Sequence, residues 1–143
     1  MSVENDPEPL ILGLTTEQMP PLVQVRRWTA IALADLDDDH LQTVLLISTE
    51  LLTNAYEHGS SPYGVRLRRG RSPCRVRVEV DDTSPEQPVV GRSRIADTRG
   101  RGLIMVDKLS WKWGVSPLPG GGKTVWATIS CEQEGWIPCA GST

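Results

Sequence analysis

The spacing of apolar residues changes at Gly59, and that change limits the possible folds more than any other feature. From about 39 to 58, Leu41, Val44, Leu45, Ser48, Leu52 and Ala55 recur at three- or four-residue steps. At 100° per residue they fall within about 100° of one another, a core-facing helical stripe. After Gly59 the period becomes two. Over 63–69 and 74–81, Val65, Leu67, Val76, Val78 and Val80 share one face, while Arg66, Arg68, Arg75 and Arg77 share the other. Gly70, Ser72 and Pro73 mark the turn of a hairpin. A striped helix leading into a one-sided hairpin must bury each apolar face against the other.

The remaining segments extend this pattern. Residues 1–9 read as a flexible acidic arm carrying Pro7 and Pro9. Residues 10–14 read as a short strand, and Pro20 and Pro21 suit the start of a helix over 20–35. An Asp of the 35–39 run then caps the long helix, which ends at Gly59. Residues 83–99 read as a mobile loop, 102–109 as a third helix, and 111–116 and 123–131 as strands around Pro119-Gly120-Gly121-Gly122. The fold class expected is α+β: a two-layer α/β sandwich with a mixed, mostly antiparallel sheet and about three helices on one face. A single domain is expected over 10–131, with a poorly ordered C-terminal tail over 132–143.

Composition removes several function classes. The net charge of −3 argues against a generic nucleic-acid binder. No run of 18 apolar residues exists, and the N-terminus lacks the basic start and apolar core of a signal peptide, so a cytoplasmic protein with no membrane partner is expected. Cys74, Cys131 and Cys139 form no C-x-x-C pair and are odd in number, so the expected chain is reduced and free of zinc.

Four short patterns carry possible chemistry. Glu50 and Asn54 lie four residues apart, about 40° from one another on the helix and away from the core stripe. A Glu can take a proton from an attacking hydroxyl, and an amide oxygen is a hard ligand suited to magnesium. Such a pair alone is most often the wet side of a surface helix. Asp81 and Asp82 end a strand, where a carboxylate can accept from an exocyclic amine or simply make a turn. Gly100-Arg101-Gly102-Leu103, preceded by Arg99, stands before the third helix, where free N–H groups and close backbone approach suit phosphate. Gly122-Lys123-Thr124 is not a phosphate loop, because Pro117 stands where its first glycine belongs and a strand follows.

Taken together, Glu50 and Asn54, Asp82, Gly100 and Gly102, and Thr124 resemble the histidine-kinase-like (GHKL) ATPase superfamily in order and spacing, over about 10–130. Within it the chain looks like the anti-sigma-factor serine/threonine kinases and their stand-alone actinobacterial relatives. The resemblance implies an ATP- and Mg²⁺-binding transcription regulator. Its Glu50 would be the general base and Asn54 the magnesium ligand. Asp82, which fits relatives better than Asp81, would read adenine with Thr124 through a water. Arg99, Gly100, Arg101, Gly102 and Leu103 would form a lid over the phosphates. A sigma factor and an antagonist protein carrying the target serine are the implied partners, with a homodimer through the first helix and strand. One departure stands out: the usual Asp-x-Gly-x-Gly is Asp82-Thr83-Ser84-Pro85-Glu86, without either glycine. That loss keeps a second reading open, an ATP-binding interaction module without kinase activity. A third, nucleic-acid binding by the arginines, is weaker, because no aromatics interleave with them in the hairpin and a solvated sheet face explains them. His58 reads as a helix-end residue. Trp111, Trp113 and Trp126 are expected between sheet and helices, and Trp28 at a partner surface.

Overall fold

The computed structural model describes residues 10–15, 22–57, 62–71, 74–82 and 98–130. The expected arm (1–9), the tail (132–143), most of the expected loop (83–97), His58, Gly59, Cys131 and Cys139 lie outside the described residues. The elements are β1 (Leu10–Thr15), α1 (Leu22–Ala32), α2 (Asp38–Glu57), β2 (Pro62–Arg71), β3 (Cys74–Asp82), α3 (Thr98–Leu109), β4 (Lys112–Pro117) and β5 (Lys123–Ser130).

The expected α+β two-layer architecture is present, with one correction. The sheet has five strands in the order β1-β2-β3-β5-β4, and every described pair is antiparallel. A mixed sheet was expected. The strands β3 and β4 do run the same way, but β5 is inserted between them and pairs with both, so no parallel ladder forms.

The start of α2 has a local cause. The Asp37 carboxylate accepts a hydrogen bond from the Asp39 backbone N–H at 3.2 Å, which makes Asp37 the cap of α2. Asp38 and Asp39 then occupy its electropositive first turn. The buried face of α2 is wider than its sequence stripe. Val44, Ser48, Leu52 and Ala55 are buried as expected, but so are His40, Ile47, Leu51 and Asn54. These four follow a heptad-like spacing and form a second row, about 40–100° from Glu50. Contact of α2 with the sheet on one side and with α3 on another buries both rows.

Alternation divides the sheet into two faces. Toward the helices point Val65, Leu67, Cys74, Val76, Val78, Val80, Val125, Ala127 and Ile129, all in the core. Cys74 is disulfide-bonded, which corrects the expected reduced chain; its partner lies outside the described residues. Away from the helices lies an ion-pair network. Arg66 donates to Glu79 at 2.7 Å and to both oxygens of Asp81 at 2.6 and 2.8 Å, and Arg68 and Arg77 also reach Glu79. Burial, the largest single influence, pushes the Glu79 and Asp81 carboxyls up, but the hydrogen bonds and charge of Arg66, joined by Arg68 at Glu79 and by the Thr124 hydroxyl at Asp81, together outweigh it and leave both below their ordinary values. Arg77 covers the ring of Trp126, and Arg75 and Lys112 cover that of Trp111. Of the three tryptophans expected between the layers, only Trp113 packs on the core. The Trp126 ring crosses β4 so closely that a Cβ on Gly114 would lie 2.8 Å from it. Gly114→Ala should therefore destabilise the fold by about 1–3 kcal/mol, read by urea denaturation.

The first turn of α2 also holds a titrating core residue. Burial pushes the His40 imidazole down to about 4, opposed by its hydrogen bond to the Ile129 backbone and reinforced by the nearby Arg69 charge. A folded-state pKa below the unfolded one means that the unfolded chain binds the proton first. The stability contributed by neutral His40 is thus present above pH ~6.5 and lost as pH falls toward about 4, at most about 3 kcal/mol. His40→Gln, which keeps a donor for Ile129, should flatten that limb in urea melts between pH 4 and 6.5.

Candidate functional site

Three elements bring their chemistry to one end of the sheet. His40 bonds the backbone of Ile129, so the start of α2 lies over the end of β5. From His40 to Asn54 the helix rises about 21 Å, and from Ile129 back to Lys123 the strand covers about 20 Å. α2 also packs on β3 and β5, and the two lengths match, which gives the C-terminal half of α2 the reach to the Lys123 end of β5. Asp82 pairs in register with Lys123, so it stands at that end too. The C-terminus of α3 is fixed at the opposite end, since the Trp111 N–H donates to the Thr128 carbonyl. α3 packs against α2.

Asn54 is the most unusual side chain there. It is 3% exposed, and neither its Oδ1 nor its Nδ2 finds a hydrogen-bond partner among the described residues. A buried amide left unsatisfied costs about 1–3 kcal/mol, which an ordinary core position would not retain. Asn54 lies apart from the core stripe, as its spacing implies, yet it is buried: it ends the second buried row, and Glu50, one turn earlier, is half-buried. This arrangement fits a magnesium–triphosphate group, because the amide oxygen is a suitable ligand and its donor suits a phosphate oxygen. Among the described residues no cluster of three or more His, Cys, Asp or Glu stands ready for a metal. A divalent ion here would take most of its ligands from the nucleotide and water.

Asp82 is fully buried on the helix-facing side, where Lys123 Nζ lies 2.9 Å from its Oδ1. Thr124 is not brought to it. Neighbouring residues on a strand point to opposite faces, so Thr124 points away from the helices and its hydroxyl donates to Asp81 at 2.5 Å. The expected Asp82–Thr124 pairing is thus replaced by Asp82–Lys123 in the site and Asp81–Thr124 outside it. The sequence reading missed Lys123, although alternation with Val125, Ala127 and Ile129 already placed it on the inner face. The glycine segment is also corrected: α3 begins at Thr98, so Gly100 and Gly102 lie in its opening turns rather than in a loop before it. The side chains of Arg99, Arg101 and Leu103 lie outside the described residues. No described helix is long and apolar enough to cross a membrane.

The model of the histidine kinase-like ATPase domain family matches residues 14–129 of the chain. That span runs from the end of β1 through nearly all of β5, and so includes every element that forms the site. Among curated proteins no significant match was found.

Proposed function

The chain belongs to the histidine kinase-like ATPase family, and from that premise we propose that it is an ATP-dependent serine/threonine protein kinase of the anti-sigma type. ATP binding follows from the family itself; the kinase chemistry is supported by the row formed by Glu50 and Asn54. The observation that carries the reading is the buried carboxamide of Asn54, which has no hydrogen-bond partner among the described residues. Asn54 would hold Mg²⁺ and the triphosphate, Asp82 would accept from the base, and Gly100 and Gly102 would let the α3 backbone approach the phosphates. Bound magnesium supplies charge neutralisation at the transferring phosphoryl group. Glu50 takes the proton of an attacking serine hydroxyl, placed by a partner protein at the open end of α2.

By the same resemblance the partners are a sigma factor and an antagonist protein carrying that serine, in the cytoplasm. Val23 and Ile31 on α1 and Leu10 on the edge strand β1 are exposed by 69%, 68% and 52%, apolar surface suited to a homodimer or partner contact.

The test is transfer of labelled phosphate from ATP, with magnesium, to candidate antagonist proteins. Phosphoserine formed by the wild type supports the kinase. ATP binding without transfer across a fair panel supports the second reading, an interaction module that changes partners with ATP occupancy. The loss of both glycines after Asp82 favours that second reading.

A further inference from the structure

The Asp82–Lys123 pair is an odd thing to bury. Two residues inward, on the same face, the matching β3–β5 pair is Val80 and Val125, both in the core. Removing two opposite charges from water is costly, and a well-packed apolar pair often stabilises a fold as well or better. Stability alone therefore gives weak reason for the pair, which is 0% and 2% exposed. What it provides is a carboxylate acceptor and an ammonium donor 2.9 Å apart, at the end of the sheet where the base would sit. The adenine edge has the complementary arrangement: the N6 amine donates, and a ring nitrogen on either side of it accepts.

Building on the ATP-binding reading, we infer that Lys123 is a base-specificity residue. Its ammonium donates to the adenine ring nitrogen adjacent to the N6 amine, while Asp82 accepts from that amine. A base lacking the ring nitrogen would leave the ammonium facing carbon in a dry site. Because such a hydrogen bond is charge-assisted, its loss should weaken binding roughly 10- to 100-fold.

Calorimetric titrations of the full chain with ATP, 1-deaza-ATP and 7-deaza-ATP test this, in the wild type, Lys123→Met and Lys123→Gln. The wild type should bind one of the two analogues roughly 10- to 100-fold more weakly than ATP. In Lys123→Met that analogue and ATP should bind alike, and Lys123→Gln, which keeps an N–H donor, should retain part of the preference. If the wild type binds all three equally, the inference falls without need of any variant. It also falls if the preference survives in Lys123→Met, or if that variant binds ATP more tightly, which would make Lys123 a plug. A wild type that binds no ATP overturns this inference together with the functional reading; binding without discrimination overturns only this one.

Discussion

Replacing Glu50 by Ala should leave ATP binding close to the wild-type level and lower phosphoryl transfer by a factor of about 10²–10⁴. The two effects separate because Glu50 and Asn54 sit one turn apart on α2 but in different surroundings. Asn54 is buried, whereas Glu50, one turn earlier, is half-buried. A general base acts on the nucleophile and not on the nucleotide, so its removal should appear in the rate and not in the affinity. Glu50→Gln refines the result, since it keeps size and polarity and lacks basicity. Calorimetry with ATP and magnesium gives the affinity, and single-turnover labelling of the serine substrate gives the rate. Transfer at the wild-type rate in both variants would remove Glu50 from the chemistry. Loss of binding in both would make it a ligand of the nucleotide instead.

Much of this arrangement was legible from spacing alone, for identifiable reasons. The α2 stripe, the Asp cap at its start and the one-sided hairpin depend on local geometry that repeats along the chain, and all three are present in the structure. The hairpin arginines are spread over a solvent-side network because Glu79 and Asp81 share their face. The second buried row of α2 was not legible, because its burial depends on elements distant in sequence: His40, the first of that row, bonds the backbone of Ile129 in β5. From α2 alone Asn54 looks like a surface residue; in the fold it is buried, with no hydrogen-bond partner among the described residues. The assignment of Thr124 failed for a different reason. The motif supplied a residue type, whereas the period of two supplied a face, and only the second decides what a strand residue can touch. Trp126 follows the same parity as Thr124 and so stacks under Arg77 rather than on the helices.

The second large effect is expected at Asn54, and its sign differs between stability and function. Asn54→Leu replaces a buried amide, with no partner among the described residues, by an apolar side chain of similar volume. The penalty of the unsatisfied donor and acceptor disappears, and the row of His40, Ile47 and Leu51 gains an apolar member. The variant should therefore unfold at higher denaturant, by about 1–3 kcal/mol, although most core substitutions destabilise. At the same time, magnesium-dependent ATP binding should fall by about 100-fold or more, the size expected when a buried ligand to a charged group is lost. Opposite changes of this kind mark a residue kept for its ligand at a cost to the fold. Paired urea titrations and calorimetry, each with and without magnesium, measure both. A variant that is less stable than the wild type and binds ATP equally well would show that Asn54 is an ordinary structural residue. The phosphate end of the site would then have to be sought elsewhere on α2.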